Sequence, residues 1–425
     1  MYYWYKLITY LLSPLANIYL ILRKLKKKEH PIRYKEKLAH IKIDRPKGFL
    51  VWLHMASVGE AISIIPLIEK FEKDEKINSI LLTTLTTSSS DVIEKKYSHN
   101  KKIIHQFAPL DIPNIVKKFL KHWSPNLSIF IDSEIWPNLI FEVKKKNIPL
   151  TLINARITKK TFLRWKLAKN FAKNIFEKFD LCIAANTETA EHLKTLGVKN
   201  IKNYGNLKFA KPDYNPQQNI NNLLIEKTKK NILWCAASTH DTEEFFCAKT
   251  HIILKKKFNN ILTIIIPRHT NRVKEIEKNL SKLNLKICLY SEIENMPSNI
   301  DILLIDTYGE VEKFYNISKC IFLGKSLIKT LIKDSGQNPI EPARLGRKVF
   351  HGPYVSNFLE IYNYLKSIGV SSEVNTPENL SQLIAQEFNK NLNENALIIK
   401  KIEDYGKNTL NNVMKELKEY INISK

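Results

Sequence analysis

The feature that most constrains the fold of this chain is a twofold alternation of short apolar segments with amphipathic helical patterns. The first block lies between Lys47 and Tyr204, and its strand candidates are GFLVWLHM, INSILLTTLT, KIIHQFAPL, NLSIFIDSE, IPLTLINAR and FDLCIAAN. The second block contains NILWCAAS, ILTIIIPR, KICLY, DILLIDT, KCIFLGKS and RKVFHGP. Because strands interleaved with helices form doubly wound parallel sheets, each block predicts one Rossmann-like α/β domain. With 425 residues, 44% of them hydrophobic, the chain can bury two such cores.

A polar stretch from Ala210 to Lys230, rich in Pro, Asn and Gln, is typical of a linker between the two blocks. We therefore predict an N-terminal segment over residues 1–28, a first domain over 29–214 and a second domain over 215–425. Two such domains facing across a cleft would place a ligand site at the carboxyl ends of their strands. The sequence has neither a GxGxxG motif nor a P-loop, so dinucleotide oxidoreductase chemistry has no support.

The N-terminal segment begins with the mostly apolar stretch MYYWYKLITYLLSPLANIYLIL, which is followed at once by the basic run RKLKKK. As one helix it would rise about 30 Å, roughly the thickness of a hydrocarbon core. Pro14, Asn17 and Lys6 leave open an amphipathic helix that packs on the protein or lies in the membrane interface. The order of apolar run and charge is the reverse of that in a cleavable signal peptide. Both alternatives predict a membrane-bound protein whose bulk is cytoplasmic.

The net charge of +25 predicts an anionic partner, which could be nucleic acid, a phosphorylated substrate or an anionic membrane. The lysines are spread along the chain, and part of their excess can reflect coding bias. A nucleic-acid-binding protein would need a binding module or a basic stripe with interleaved aromatic residues, and the sequence shows neither. Five scattered cysteines without a CxxC pair argue against a disulfide framework or a zinc site and favour a reducing compartment.

Polar and charged side chains cluster where the predicted strands end. Each alone has an ordinary explanation as a helix-start acid, a surface cation or a helix cap, but together at the strand ends of two sheets they predict a site. Carboxylates dominate in the first block, which suits a base and an acceptor, whereas basic and small residues in the second block suit an anionic donor. The candidates are Glu60, Asp132, Glu134, Asn154, Arg156, Lys208, Ser238, His240, Pro267, Arg268, Tyr308, Gly309, Glu310, Asn338, Pro339, Ile340 and Glu341.

Glu60 illustrates the two possible explanations. The segment Ser57-Val58-Gly59-Glu60 fits a capping box, in which Ser57 is the N-cap and Glu60 reaches back to its amide. The small residues around Glu60 also suit a loop that another molecule approaches closely. The local pattern alone leaves both readings open.

Eight motifs, in this order, resemble the Kdo transferases of lipopolysaccharide synthesis, which are family 30 glycosyltransferases of GT-B fold: HMASVGE, DSEIWPNL, NARIT, GNLKFA, STHDTEE, PRHTNR, DTYGE and GQNPIEPARLG. The resemblance covers nearly the whole chain. It implies an inverting transfer of 3-deoxy-D-manno-octulosonic acid (Kdo) from CMP-Kdo to the lipid A precursor, without a metal or other cofactor. It further implies the cytoplasmic side of the cell inner membrane, with an anionic membrane surface and no nucleic acid as partner.

The resemblance also implies roles for individual residues. Glu60 matches the general base, which deprotonates the acceptor hydroxyl, and Lys208 matches a lysine that stabilises the transition state. Arg268 would contact the phosphate of CMP and Glu341 the ribose hydroxyls. The full set implied for CMP binding is Pro267, Arg268, Tyr308, Gly309, Glu310, Asn338, Pro339, Ile340 and Glu341.

Three motifs depart from the family pattern. The first acid of its Glu-Thr-Glu motif is Asp132, one methylene shorter, so the sequence leaves open whether Asp132 or Glu134 assists catalysis. Where the family has a pair of glycines, this chain has Gly324-Lys325. Where the family has Gly-Gly-His, this chain has Ser335-Gly336-Gln337. These changes bear on the fine geometry of the donor pocket. Another GT-B transferase that acts at the membrane on a different nucleotide sugar is the nearest alternative function.

Overall fold

The computed structural model describes residues 1–210, 222–309, 311–390 and 392–423. The chain divides into two compact units. The first unit comprises Met1–Pro212 and Tyr405–Lys425, and the second comprises Asp213–Asp404. Each unit contains one seven-stranded sheet, and every strand pair within the sheets is parallel.

The first sheet has the strand order β3-β2-β1-β4-β5-β6-β7. Its strands are β1 (Leu50–His54), β2 (Ser79–Thr84), β3 (Ile103–Phe107), β4 (Leu127–Ile131), β5 (Leu150–Ala155), β6 (Leu181–Ala184) and β7 (Ile201–Asn203). The helices that precede or connect them are α1 (Tyr2–Leu11), α2 (Leu15–Leu25), α3 (Val58–Ser63), α4 (Ile65–Glu72), α5 (Thr87–Tyr97), α6 (Pro113–Trp123), α7 (Pro137–Lys145), α8 (Lys159–Leu167), α9 (Lys169–Phe176) and α10 (Thr187–Leu196).

The second sheet has the strand order β10-β11-β9-β8-β12-β13-β14. Its strands are β8 (Ile232–Thr239), β9 (Ile261–Pro267), β10 (Ile287–Leu289), β11 (Ile302–Leu304), β12 (Cys320–Leu323), β13 (Lys348–His351) and β14 (Ser371–Glu373). The helices that follow the first unit are α11 (Asn222–Thr228), α12 (Glu243–Lys255), α13 (Val273–Ser281), α14 (Val311–Ile317), α15 (Ile340–Arg344), α16 (Leu359–Ser367), α17 (Pro377–Phe388) and α18 (Leu392–Ile423). Short 3-10 helices lie at Arg33–Leu38, Leu207–Phe209, Thr270–Arg272, Tyr290–Asn295 and Lys329–Asp334.

The central strands are buried on both faces, as expected of parallel strands that helices cover. Every residue of β1, β2 and β4 is buried. One face of the first sheet carries a cluster around Trp52 and Phe130, and the other carries a cluster around Leu53 and Ile129. Because successive side chains point to opposite faces of a strand, the two clusters share the same strands. This packing fixes the strand ends, from which the candidate residues project.

The predicted alternation is confirmed, and the differences lie in short elements. The edge strands β7 and β14 were not predicted, because three residues with partly exposed side chains carry no apolar run. The predicted linker from Ala210 to Lys230 contains α11, which buries Leu224. The expected junction at residues 214 and 215 lies outside the described residues. The helical pattern after β1 is broken at Ile64 into α3 and α4, with Pro66 in the first turn of α4.

The C-terminal residues differ from the expected boundary. The sequence placed them in the second domain, whereas the structure groups Tyr405–Lys425 with the first unit. The reason is an apolar stripe on α18 that joins the core cluster containing Ile68 and Phe71. Its members are Leu410, Val413, Met414, Leu417 and Ile421.

The N-terminal helices are attached to the first unit. Tyr5 Oη donates a hydrogen bond of 2.8 Å to Asp111, and Asn138 donates one of 2.9 Å to Thr9 Oγ1. The ring of Tyr2 stacks on Phe141 of α7 at 3.6 Å. Among the described residues no single helix is long and apolar enough to cross a bilayer. Helices α1 and α2 meet the length and composition requirement only as a pair, and they are bent by 68° where they join.

Candidate active site

The three predicted acids of the first unit surround one point of its sheet. β1 pairs with β2 on one side and with β4 on the other, so the connections after β1 and β4 diverge between these two strands. Open α/β sheets bind ligands at such a switch point. Glu60 follows β1, and Asp132 and Glu134 follow β4. The structure therefore brings these three candidates together.

Ser57 caps α3 as predicted, and Glu60 lies in the first turn with its carboxylate bonded to the Ala56 amide and the Ser57 hydroxyl. The Glu60 amide donates to Ser57 Oγ at 3.3 Å, and its Oε2 accepts a hydrogen bond of 2.7 Å from the Ala56 amide. Burial raises the pKa of Glu60, and Asp132 adds to this effect, while the bonds from Ala56 and Ser57 oppose it. A Cβ built on Gly59 would meet no described atom within 4 Å. The carboxylate is thus held in one position beside open space, which is also what a general base requires.

Asp132 and Glu134 lie in different electrostatic surroundings. Burial raises the pKa of Asp132, but Lys208 and Arg156 counteract the shift. The pKa of Glu134 is raised to about 7, mainly by burial and further by the nearby Glu60 and Asp132, while the hydrogen bond from Trp136 opposes the shift. Glu134 therefore exchanges a proton near neutral pH, whereas Asp132 is the acid that the two cations face.

The two predicted cations of the first unit, Arg156 and Lys208, are positioned by the end of β5. Asn154 Oδ1 accepts a hydrogen bond of 2.9 Å from the Leu207 amide, which holds the 3-10 helix Leu207–Phe209 against this strand end. The amide of Arg156 donates to the carbonyl of Asp132 at 3.2 Å. Asp132 and Asn154 both have positive φ, 59° and 53°, which non-glycine residues seldom adopt. Such strain is typical of sites where the backbone must aim a side chain.

His54, the last residue of β1, lies behind the acids. It is 1% exposed, and burial lowers its pKa to about 3, so the ring is neutral. Its Nδ1 lies 3.0 Å from Thr83 Oγ1, and its Nε2 lies 3.6 Å from Glu134 Oε2. Glu134 Oε2 also accepts a hydrogen bond of 2.6 Å from Trp136 Nε1. Sequence reasoning quoted His54 within its motif but gave it no role.

The second unit has an equivalent switch point between β8 and β12, because β8 pairs with β9 on one side and β12 on the other. The loops after the two strands are joined by Glu243, which sequence reasoning also missed. Its carboxylate accepts four backbone hydrogen bonds of 2.7–3.0 Å, from the amides of His240, Lys325, Ser326 and Leu327. A Cβ on Gly324 would come within 2.6 Å of the Ser238 carbonyl oxygen, so this crossing requires glycine.

Basic groups collect around the loop after β8. Arg268 is exposed, and its amide donates to the Thr239 carbonyl at 2.9 Å. The rings of His240 and His269 lie 5.8 Å apart. Burial lowers the pKa of His240, and the neighbouring Lys325, His269 and Arg268 lower it further. This positive surrounding suits an anionic ligand.

Most of the other predicted donor residues lie in two segments, one after β11 and one before β13. Asn338 Oδ1 accepts a hydrogen bond of 3.2 Å from the Ile340 amide, just before the short helix α15, which carries Glu341. Gly336, just before them, donates its amide to the Lys325 carbonyl at 2.7 Å, which ties this segment to the loop after β12. Tyr308 and Gly309 follow β11, and the Tyr308 side chain is 72% exposed. Glu310 lies outside the described residues.

Two of the departures from the family pattern, Lys325 and Ser335, lie in the segment after β12. Lys325 has a φ of 57°, a conformation in which glycine is more usual. Ser335 is fully buried, and its Oγ donates to the Ile332 carbonyl at 2.9 Å.

Within the described residues, no group of three or more His, Cys, Asp or Glu side chains is arranged to hold a metal ion.

Comparison with known proteins gives a consistent result. Residues 32–211 match the family model described as 3-deoxy-D-manno-octulosonic-acid transferase (kdotransferase). A 3-deoxy-D-manno-octulosonic acid transferase of Rickettsia bellii is 30% identical over 422 residues, which cover 99% of this chain and 98% of the relative. A probable mitochondrial 3-deoxy-D-manno-octulosonic acid transferase of Arabidopsis thaliana is 32% identical over 363 residues, 83% of this chain and 80% of the relative.

Solved structures show the same fold at low sequence identity. The UDP-GlcNAc 2-epimerase of Neisseria meningitidis superimposes with a TM-score of 0.59 at 13% identity and covers 87% of this chain and 100% of its own. A glycosyltransferase of Rickettsia africae gives a TM-score of 0.52 at 16% identity, over 89% of this chain and 100% of its own. The architecture is therefore of the GT-B type.

Proposed function

Because the chain belongs to the family of 3-deoxy-D-manno-octulosonic acid transferases, and is thus a glycosyltransferase, we propose that it moves Kdo from CMP-Kdo to the lipid A precursor lipid IVA, in lipopolysaccharide core synthesis. The observation that carries the proposal is the 30% identity with the Rickettsia bellii relative along 99% of this chain. The acids and cations at the two switch points supply the groups that this reaction needs.

Glu60 is the general base in this proposal. It takes the proton of the acceptor hydroxyl while that oxygen attacks the anomeric carbon of Kdo from the face opposite CMP, so the configuration inverts. Its fixed carboxylate, the small neighbour Gly59 and its place at the switch point support this role. Of the two other acids, Glu134 is the better candidate to share protons with Glu60, because its pKa lies near 7 and the charge of Glu60 contributes to that shift.

Cations stabilise the charge that develops as CMP leaves. Arg268 and the basic surrounding of His240 lie in the second unit, where we place the CMP phosphate. Glu341 accepts from the ribose hydroxyls, and Lys208 stabilises the transition state from the first unit. These side chains replace a metal ion in the proposal, so treatment with EDTA should leave the rate unchanged.

We place the enzyme on the cytoplasmic face of the inner membrane, bound to anionic lipid. The apolar side chains of α1 and α2 support this location, because Trp4, Leu11 and Leu25 are each at least 66% exposed and a basic run follows. A second basic and apolar face lies on α8, where Leu163 is 51% and Leu167 91% exposed. With about 3.6 residues per turn, Lys159 and Lys166 flank these leucines on one side, and Lys160 and Arg164 on the other.

The test is the product formed by the purified full-length protein from CMP-Kdo and lipid IVA in detergent. Mass spectrometry should show lipid IVA enlarged by one or more Kdo units, together with release of CMP. Parallel reactions with UDP-N-acetylglucosamine separate this activity from that of another nucleotide-sugar enzyme. Transfer from the UDP sugar without transfer from CMP-Kdo would overturn the proposal.

A further inference from the structure

His54 presents a buried ring nitrogen that the described structure leaves without a hydrogen bond. Among the described residues, Nε2 has no partner within hydrogen-bonding distance, although the ring is almost completely buried. Buried polar atoms of native proteins are nearly always paired, so an unpaired one calls for a functional explanation. The nitrogen lies 3.6 Å from Glu134 Oε2, one of the acids at the switch point. The aromatic rings of Trp52, Phe130 and Trp136 lie around the imidazole, with ring centroids 5.0–6.5 Å from its own.

The opposite side of the ring allows two proton arrangements. Thr83 Oγ1 accepts a hydrogen bond of 2.9 Å from Trp52 Nε1, and it lies 3.0 Å from His54 Nδ1 and 3.4 Å from the Leu53 carbonyl oxygen. If the hydroxyl donates to Nδ1, the neutral ring carries its proton on Nε2 and offers a donor to Glu134. If the hydroxyl donates to Leu53, it accepts from Nδ1–H, and Nε2 is then an acceptor.

We propose that His54 is a positioning residue that changes tautomer with the charge of Glu134 and so gives this acid a partner in both of its protonation states. With Glu134 ionised, Nε2–H donates to the carboxylate. With Glu134 protonated, the carboxyl O–H donates to Nε2, and the imidazole proton sits on Nδ1. One proton leaves the cluster to solvent on ionisation, while the imidazole holds a single proton throughout.

The charges around Glu134 make both states relevant. Glu60 of α3 and Asp132 at the end of β4 oppose its ionisation, and Trp136 Nε1 favours it. Lys208 and Arg156 lower the pKa of Asp132 against the effect of its burial. Resting on the proposed function, the inference gives Glu134 the task of holding the proton that Glu60 removes from the acceptor, with His54 adjusting to each state.

The experiment is NMR titration of the full chain labelled with ¹⁵N-histidine and ¹³C-glutamate, between pH 5 and 9. We expect the His54 Nδ1 and Nε2 shifts to exchange their protonated and unprotonated values at the midpoint of the Glu134 carboxyl titration. His54→Phe keeps the aromatic packing but removes both ring nitrogens. The ionised acid then loses a charge-assisted hydrogen bond and the protonated acid only a weaker neutral one, so the Glu134 midpoint should move upward by about half a unit to one unit. His54→Gln should restore part of the shift.

His105 offers a matched control. It is another histidine of the same sheet and is partly buried, its pKa is also lowered to about 3, and its ring contacts Thr84 and Arg33. His105→Phe should leave the Glu134 midpoint unchanged. A single His54 tautomer across the Glu134 titration, or a Glu134 midpoint that His54→Phe does not move, overturns the inference. These readouts need no substrate, so a protein that shows the tautomer change but transfers no Kdo would overturn only the proposed function.

Discussion

At the scale of single residues, the candidate acids combine a structural and a chemical role. Glu60 bonds back to the residues that precede its helix, and these bonds also fix its carboxylate at the switch point. The sequence could predict that Ser57 caps the helix of Glu60, since this cap depends on a local spacing. It could not predict that Asp132 faces two cations while Glu134 faces other acids, because those neighbours come from distant segments that only the fold brings together.

Replacing Glu60 with Gln should reduce Kdo transfer by about 10²–10⁴-fold, because the amide cannot accept the hydroxyl proton. The amide oxygen can still accept the capping bond from Ala56, so stability should change little. Steady-state rates and thermal unfolding measure the two effects. Glu69 of α4 forms a partly exposed ion pair with Lys96. Glu69→Gln is the matched control and should keep full activity. Near-full turnover of Glu60→Gln would leave Glu60 with the capping role alone.

Arg268→Ala should weaken CMP binding by about 1.5–3 kcal/mol, the value of a hydrogen bond to a charged group. Arg268 is exposed next to the loop after β8, so its loss should not disturb the core. Calorimetric titration with CMP measures the change. Lys274→Ala, on the exposed side of α13, removes the same charge nearby and should bind CMP normally. Equal affinities for the two variants would place the phosphate elsewhere.

Glu134→Gln should stabilise the first unit at alkaline pH. The pKa of Glu134 is raised in the folded protein from 4.5 to about 7, so the folded state resists ionisation that the unfolded chain undergoes. The stability present below pH 4.5 is therefore lost as the pH rises to about 7, by roughly 3 kcal/mol. Amide hydrogen exchange in β1 and β4 should show the variant gaining on the native protein between pH 4.5 and pH 8. Parallel pH profiles of the two proteins would contradict the raised pKa.

At the scale of elements, length and burial decided what the sequence could predict. β1 and β4 are fully buried runs of five residues and were predicted, whereas β7 and β14 are three-residue edge strands without an apolar signal. The apolar N-terminal stretch predicted either one long helix or a helix packed on the protein. The structure shows two helices that meet at an angle, because Pro14 interrupts the run, and Tyr5 of the first helix bonds to Asp111.

The exposed face of α8 should contribute to membrane binding. Changing Leu163 and Leu167 together to Glu places two charges among the cations and removes the apolar contact. We expect weaker flotation with vesicles that contain anionic phosphatidylglycerol, and no change in transfer to a detergent-dispersed acceptor. The control changes Leu359 and Leu397, which are 52% and 57% exposed, to Glu and should float as the native protein does. Equal flotation of both variants would confine membrane binding to α1 and α2.

At the scale of the whole molecule, two domains were predictable and their boundary was not. The twofold alternation of strands and helices predicts that the chain has two domains. Tyr405–Lys425 belong to the first unit because the apolar stripe of α18 packs in its core. The periodicity of a helix predicts an apolar face, but it does not predict which core that face packs against.

Leu417→Ala should destabilise the first unit by about 2–5 kcal/mol, because the side chain is fully buried and its removal leaves a cavity. Hydrogen exchange should rise in β1 and β2 and stay unchanged in β8 and β9. Leu397→Ala, on the same helix but 57% exposed, should change stability by less than about 0.5 kcal/mol. Faster exchange in β8 and β9 would mean that this part of α18 supports the second unit.

The return of α18 to the first unit has a consequence for the order of events during synthesis. Residues 1–210 leave the ribosome long before 405–423, and until then the apolar surface around Ile68 and Phe71 has no cover. The second unit, whose residues are continuous in the chain, can close its core first. The domain that is translated first should therefore be the one that finishes folding last, and nascent chains stalled before residue 405 should expose this surface to chaperones.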